Sequence, residues 1–461
     1  MKVLFLNVTD TLLPKQKTHG FALKDPTFPP LGMLYMGSML EQQGHTVELI
    51  DFQFESHPLK KVHGLLPSVD LVGINVDNLC RDVQKVIAAQ VKQMDPSIPL
   101  VIGGPYCTVR EKYSMQFIPQ ADICVVGEGE YAIVDIVNAL LGKKKLSSIP
   151  GVFYRENNHI KTGKPVEIIK DLDKLPFPAR HLVDKYKYGK IGKTYMYQPR
   201  VTLILTSRGC AFRCRFCIRH VLTYKSFRQR SAQNVLNELL ELNEHYGSVM
   251  IIDDNFLTDT KRAHDIMDQL IEHKTTIDLS IAGSRVDTAD ASLFKKMKKA
   301  GLKHIQFGIE AGTQKVLDFY GKKTTIDQIT KAVKLAHEQD FFITGSFIVG
   351  APIETETDIK KTIEYACSLP LDIVVYNPLD YKYGSDLWLD ANQAGLIQDD
   401  EHNVFADSRR GIGHFTKEEL EQFCRDALKK FYFRPSYIFH QTRKAIRTRD
   451  FRIINTWLNY I

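Results

Sequence analysis

Apolar residues fall into two kinds of segment that alternate along the first third of the chain. Short apolar runs recur as KVLFLNV (2–8), DLVGINV (70–76), PLVIGGP (99–105) and ICVVGEGE (123–130). Runs of that length, bounded by Gly, Pro or Asn, read as strands buried on both faces. Between them the period lengthens. Leu31, Leu34, Tyr35, Met39 and Leu40 recur at helical spacing, Gly44 supplies a helix stop, and Val47–Leu49 resumes as strand. A further helix is expected near 82–94. Five strands with intervening helices predict a doubly wound, Rossmann-like parallel sheet over residues 1–145. Such sheets bind ligands at the carboxyl ends of their strands. Those ends carry Asn75, Val76, Asp77 and Asn78, then Gly103, Gly104, Pro105 and Tyr106, then Gly127, Glu128, Gly129 and Glu130.

Residues 146–199 read as a linker. SIPGVFYRENNHIKTGKPVEI predicts a β-hairpin turning at Glu156–His159, and DLDKLPFPAR a Pro-rich crossing. From residue 200 the alternation restarts. RVTLILTSRGC, VMIIDDNF, LSIAGSRVD, HIQFGIEAG, FFITGSFIVGAP and DIVVYNPLD supply six strands, with helices between them near 234–247, 292–300, 328–339 and 356–368. This predicts a partial (β/α)6 barrel over 200–395, whose active site belongs at the strands' carboxyl ends. Residues 396–461 form a small helical, basic region. Its first helix, FTKEELEQFCRDALKKFYF, opens with a capping box, Thr416 and Glu419, and breaks at Arg434-Pro435. The last stretch, with Trp457 and Tyr460, is expected to dock on the barrel's open face and help bind substrate.

Length and composition narrow the class. A chain of 461 residues calls for two or three domains. Hydrophobic content of 44% and charged content of 25% suit a globular protein, and no apolar run approaches a membrane span. A cytoplasmic location is the expectation. The net charge of +7 is concentrated at the end: from Arg425 onward nine Lys or Arg face only Asp426 and Asp450. A solvated helix face is the reading, and nucleic acid is not an expected partner.

Eight cysteines do not read as a disulfide framework. Cys80, Cys107, Cys124, Cys367 and Cys424 are scattered and read as small buried residues. Cys210, Cys214 and Cys217 instead share one loop, spaced C-x3-C-x2-C, at the end of the first barrel strand. Thiolates select zinc or iron–sulfur clusters. A closed zinc site takes four ligands, and His220 is the one local candidate for the fourth. Three thiols suit a [4Fe-4S] cluster that keeps one iron open. Later strands end in polar residues: Asp253, Asp254 and Asn255; Ser284 and Arg285; Glu310; and the glycine segment at Gly350.

The cysteine spacing, with Phe216 before the last thiol, resembles the radical S-adenosyl-L-methionine (SAM) superfamily. That resemblance implies that the open iron chelates SAM, that Phe216 lies near the adenine and that the Asp253-Asp254-Asn255-Phe256 phrase lies at the methionine part. It further implies ribose binding by Glu310 and adenine contact at Gly350. Ser284 and Arg285 complete this SAM-binding set, and Arg285 is expected to pair with the SAM carboxylate. PPLGMLYMGSML, VIGGPY and VVGEGE resemble the cobalamin-binding domain that precedes many such barrels. No Asp-x-His-x-x-Gly motif is present, which implies cobalamin without an imidazole below cobalt; Asn75, Asp77, Asn78 and Tyr106 remain alternatives for that position.

Together these features resemble the class B, cobalamin-dependent radical SAM methyltransferases. The resemblance implies an anaerobic enzyme that methylates an unactivated sp3 carbon, with methylcobalamin as methyl donor and a 5′-deoxyadenosyl radical to activate the substrate. No catalytic residue is implied beyond the cluster ligands. A low-potential electron donor of ferredoxin or flavodoxin type is the implied partner. The ending and its RPSY segment are similar to the methyltransferases that modify a glutamine of methyl-coenzyme M reductase, implying a protein or peptide substrate. Two alternatives share the layout. One is the anaerobic cyclase of chlorophyll synthesis. The other is the methylthiotransferases, whose second cluster would need Cys80, Cys107 and Cys124 despite a spacing that does not match.

Overall fold

In the computed structural model the chain is described at residues 1–9, 27–191, 194–195, 198–448 and 451. Trp457, Tyr460, Arg449 and Arg452 lie outside the described residues. Two compact units result: one holds Pro29–Tyr186 with the first strand, and the other holds Lys187–Val221 and the chain from Lys225 onward.

The first unit is a sheet of seven strands. Its elements run β1 (Lys2–Asn7), α1 (Leu31–Gln42), β2 (Thr46–Asp51), β3 (Leu71–Asn75), α2 (Arg81–Met94), β4 (Leu100–Gly103), α3 (Pro105–Arg110), β5 (Ile123–Val125), α4 (Gly129–Leu140), β6 (Val152–Glu156) and β7 (His159–Thr162). The order β2-β1-β3-β4-β5-β6-β7 is parallel through β5 and antiparallel thereafter. The doubly wound sheet is therefore as expected, but the hairpin placed in the linker is part of it. Ile123 pairs with Tyr154 and Val125 with Val152, so β6 covers the backbone groups that β5 would otherwise leave as an open edge. Apolar side chains on one face of the strands, Leu4, Leu6, Ile74 and Ile102, pack with Ile87 and Val91 of α2.

The second unit carries six parallel strands in sequential order: β8 (Val201–Ile204), β9 (Ser248–Ile251), β10 (Asp278–Ser284), β11 (Leu302–Glu310), β12 (Phe342–Val349) and β13 (Ile373–Pro378). Helices α5 (Ala232–His245), α6 (Thr260–Glu272), α7 (Ala291–Lys299), α8 (Ile326–Glu338) and α9 (Glu356–Ser368) connect them. Each buries a stripe such as Ile266, Met267 and Leu270 of α6 against the strands. Register shifts interrupt the ladders next to Ser284 and Glu310. A bulge bends a strand end and re-aims its side chains, so both irregularities fall where polar residues leave the sheet.

The C-terminal helices belong to this barrel's core. Leu420, Cys424 and Phe431 of α10 (Lys417–Tyr432) and Tyr437 of α11 (Pro435–Thr448) are continuous with it. The Thr416–Glu419 capping box forms, and Pro435 opens α11 at a position where its missing N–H costs nothing. The stretch with Trp457 and Tyr460, expected on the barrel's open face, lies outside the described residues; α11, which precedes it, packs elsewhere. Tyr437 Oη donates to the Asp372 carbonyl at 2.7 Å, Gln441 Nε2 to Asp372 Oδ1 at 3.0 Å, and Lys444 Nζ to Asp372 Oδ2 and the Phe341 carbonyl at 2.6 Å each. Asp372 and Phe341 immediately precede β13 and β12, so α11 fastens to the strands' amino ends, opposite the cysteine loop. Part of the basic excess is spent there: Lys444 is buried against Asp372, Arg447 pairs with Asp340, and Lys430 lies 3.5 Å from Glu364. Among the described residues no helix is long and apolar enough to cross a membrane.

Candidate active site

The chain leaves β8 at Ile204 and is gripped at once. Thr206 N–H, Thr206 Oγ1 and Ser207 Oγ donate to Asp253 at 2.6, 2.5 and 2.6 Å. Arg262 of α6 donates to the Thr206 carbonyl and hydroxyl and stands 3.8 Å from Asp253. Burial pushes the Asp253 carboxyl up, against the pull of these donors and of Arg262. A two-residue antiparallel pairing, Ser207 with Gln229 and Arg208 with Arg228, then closes the neck of the loop. Gly209, at φ +90°, makes the turn out of it.

Cys210, Cys214 and Cys217 all lie inside this closed excursion. Cys214 is buried, whereas Cys210 and Cys217 are half-buried. The loop is pinned at its centre: Arg215 N–H donates to the Tyr320 carbonyl at 2.9 Å, Cys217 N–H to the Cys214 carbonyl at 3.0 Å, and the Phe216 ring meets Tyr320 edge-on at 5.2 Å. Burial pushes all three thiols up, and metal binding must displace their protons. Among the described residues no three His, Cys, Asp or Glu side chains converge on a single-ion site, and His220 faces Asp386 at 3.9 Å.

The other expected SAM residues lie at neighbouring strand ends, in different states of engagement. Asp253 has both oxygens occupied by the chain, and Asp254 pairs with Arg219 at 2.9 Å. Asn255 accepts from Arg285 N–H through Oδ1, while its Nδ2 and the Ser284 Oγ are buried with no partner among the described residues. Tyr320 Oη and Thr324 Oγ1 are in the same condition. An orphaned buried polar group costs about 1–3 kcal/mol, so such groups at the carboxyl end of the barrel fit a polar ligand such as SAM. Glu310 ends β11 at φ +68°, a strained conformation for a side-chain-bearing residue. Lys322 holds it there, Nζ to Oε1 at 2.6 Å with both groups buried. Lys322 carried no signal in the sequence, where GKKTT reads as an ordinary surface loop.

Gly350, at φ +100°, has no room for a side chain: a Cβ would strike Leu420 Cδ1 at 2.6 Å. Its N–H and that of Ala351 both donate to Glu354 Oε2 at 2.7 Å, while Oε1 has no partner among the described residues. Burial raises the Glu354 carboxyl from 4.5 to about 7. The folded state thus favours the protonated form. This contribution to stability is complete below pH 4.5 and is lost as pH rises through about 7. Glu354→Gln should remove a fall in unfolding free energy between about pH 5 and pH 8; denaturant titrations across that window check it, and equal slopes in both proteins would refute it.

In the first unit the three predicted strand ends are adjacent, on β3, β4 and β5. Val76 N–H donates to the Gly103 carbonyl at 2.7 Å and Tyr106 N–H to the Val76 carbonyl at 3.1 Å, tying two of them together. Gly104, at φ +107°, is required by closeness: a Cβ there would meet Asn75 Oδ1 at 2.3 Å. Gly129 opens α4 with Met36 Sδ 2.8 Å from where its Cβ would be. Both glycines are thus required by the chain's own packing, Gly104 against Asn75 and Gly129 against Met36. Among the four alternatives for the position beneath cobalt, Asp77 is occupied, accepting from Leu79 N–H, Cys80 N–H and Gln84 Nε2 at 2.8, 2.8 and 3.0 Å. Tyr106 is 2% exposed within the core. Glu128 accepts from Ile169 N–H at 2.7 Å, and Glu130 is buried at the start of α4. Cys107 and Cys124 are wholly buried and Cys80 nearly so.

Comparison with known proteins fits this geometry. The Radical SAM superfamily model matches residues 204–366 and the B12 binding domain model residues 25–137. The chain is 31% identical over 418 residues to the uncharacterized methyltransferase PH0819 of Pyrococcus horikoshii, covering 89% of each. It is 25% identical over 374 residues to the anaerobic magnesium-protoporphyrin IX monomethyl ester cyclase of Cereibacter sphaeroides, covering 76% of this chain and 59% of the cyclase. Among solved structures, the radical SAM methyltransferase TsrM of Kitasatospora setae, bound to cobalamin and a [4Fe-4S] cluster, shares the fold. Its TM-score is 0.69 at 17% identity, over 86% of this chain and 76% of TsrM. A [4Fe-4S] cluster, SAM and cobalamin are accordingly the cofactors, and a reductant is required. The chain belongs to the cobalamin-dependent radical SAM methyltransferases.

Proposed function

We propose that this enzyme methylates a carbon atom that carries no activating group. The observation that supports this most is the coexistence, in one chain, of a three-thiol loop at a barrel strand end and a glycine-lined set of strand ends matched by a B12-binding model. A nucleophilic carbon or heteroatom takes a methyl group from SAM by direct displacement and needs neither cofactor, so the pair is informative about substrate reactivity. When bound, the cluster and SAM supply a 5′-deoxyadenosyl radical for hydrogen abstraction, and cobalamin supplies the methyl group.

On this reading Cys210, Cys214 and Cys217 hold the cluster, and Asp253 and Arg262 fix the neck of its loop. Phe216, Asp254, Asn255, Ser284, Glu310 and Gly350 surround SAM, with Lys322 orienting Glu310. The loops Asn75–Asn78, Gly103–Tyr106 and Gly127–Glu130 receive cobalamin. A ferredoxin or flavodoxin is the proposed reductant. A protein side chain, glutamine first among those to test, is the proposed substrate, on the resemblance of the chain's ending.

Anaerobic turnover with methyl-deuterated SAM tests this. The expected result is a product heavier by one labelled methyl replacing hydrogen, with S-adenosylhomocysteine and 5′-deoxyadenosine formed in equal amounts. The cyclase similarity favours a second reading, radical oxidation or ring closure without methyl transfer. 5′-Deoxyadenosine with an unmethylated, oxidised product would establish that one instead.

A further inference from the structure

We infer that Arg285 is a positioning residue of the iron–sulfur cluster, acting on Cys214, rather than the partner of the SAM carboxylate. The inference rests on the reading of Cys214 as a cluster ligand. A guanidinium has five N–H groups in a fixed plane: one on Nε and two on each Nη. Nε donates to Asp287 Oδ1 at 3.0 Å, and Nη2 donates to Asp287 Oδ2 at 2.8 Å and to the Lys322 carbonyl at 2.7 Å. Those contacts use the Nε and Nη2 hydrogens and pair the charge with a carboxylate. What remains is Nη1, which points at Cys214 Sγ, 3.9 Å away. The flat face of the group lies on the Phe212 ring, with the guanidinium carbon 3.6 Å from its centroid. Arg285 is 5% exposed.

Phe212 and Cys214 both belong to the cysteine loop, and Lys322 is the residue that orients Glu310. Arg285 thus touches the loop twice, by stacking and by an N–H directed at sulfur, while Asp287 prevents the fork from turning. A SAM carboxylate would have to displace Asp287 or Lys322 to gain the bidentate geometry that makes arginine effective for carboxylates. Hydrogen bonds to cluster sulfurs are among the factors that set cluster potential. An N–H donated to a cysteine sulfur stabilises the reduced cluster, which carries one more negative charge, and raises its potential. The residue beyond the ligand therefore bears on how readily the cluster is reduced.

The test compares wild type with Arg285→Gln and Arg285→Lys after anaerobic reconstitution. Iron and sulfide are quantified, the cluster is titrated by EPR at controlled potential, and SAM affinity is measured separately by equilibrium binding. Arg285→Gln should retain its iron and shift to a more negative midpoint. A tenfold loss in the reduced-to-oxidised ratio at fixed poise corresponds to about 59 mV for one electron. Arg285→Lys keeps the charge without the planar fork and should shift less in the same direction; it provides the reading if the glutamine variant does not assemble a cluster. SAM affinity should stay within about twofold, since no contact to SAM is lost.

Unchanged midpoints in cluster-loaded variants would overturn the inference, as would a large loss of SAM affinity at unchanged potential, which would return Arg285 to the SAM carboxylate. Failure of the underlying reading would look different: Cys214→Ala would keep its full iron content.

Discussion

Cys214→Ala should lose the cluster and, with it, all reductive cleavage of SAM. Wild type is expected to hold about four irons per chain, as one [4Fe-4S] cluster does. With one of three thiolates removed, the cube has two protein anchors and a second open iron, which exposes it to solvent and to loss. Cys214 is also the most enclosed of the three, at 8% exposed, so no water-accessible substitute group is at hand. Iron and sulfide should fall to a small fraction of the wild-type content, and 5′-deoxyadenosine should become undetectable. Cys367→Ser serves as control, because that cysteine is half-buried on α9 and should leave the iron unchanged. Full iron content in Cys214→Ala would refute the assignment. About eight irons in wild type would point instead to a second cluster and to methylthiotransferase chemistry.

Asp253→Ala should be the most damaging substitution of a residue that is not a cluster ligand. Its carboxylate receives three donors from Thr206 and Ser207 and faces Arg262 at 3.8 Å, with almost no solvent contact. Alanine leaves those donors and a buried guanidinium without their acceptor. Breaking a buried ionic arrangement from one side costs about 3–5 kcal/mol. The loss falls on the neck of the cysteine loop, so reconstituted iron content should drop together with the unfolding free energy. Asp253→Asn retains a carbonyl acceptor and should lose less of both. Denaturant unfolding and iron analysis read the two effects; stability within about 0.5 kcal/mol of wild type, the range of ordinary surface substitutions, would refute the role.

Both cases show how far a pattern of residue types reaches. The six barrel strands and the polar residues ending them are visible in the chain because strand burial imposes long apolar runs and helix burial a 3.6-residue period. Asp253 was therefore identifiable as a strand-end carboxylate. That it faces inward to Thr206, while Asp254 beside it pairs with Arg219, depends on which way successive side chains project from the end of β9. The hairpin at Val152–Thr162 is another such case. Its turn residues mark it as two short strands, but they carry no information about whether an edge is free to receive them. The basic tail shows the same limit at larger scale. Its charge count suggests a solvated face, yet Lys444 is buried because Asp372, just before β13, lies next to it.

The chain by itself determined the two α/β units, the C-x3-C-x2-C loop at the first barrel strand and the glycine-rich ends of the first sheet. These depend on local periodicity, turn chemistry and residue type, all of which act between near neighbours in sequence. Tertiary structure alone decided the partners: Lys322 for Glu310, Arg262 for the loop neck, Asp372 for the C-terminal helix, and Arg285 turned to Cys214 and Phe212. The physical reason is that a buried ion pair or an N–H directed at sulfur joins groups well apart in the chain, from 12 residues for Lys322 and Glu310 to 72 for Lys444 and Asp372. Either group alone, with its partner unspecified, has the same local sequence as a solvated surface residue.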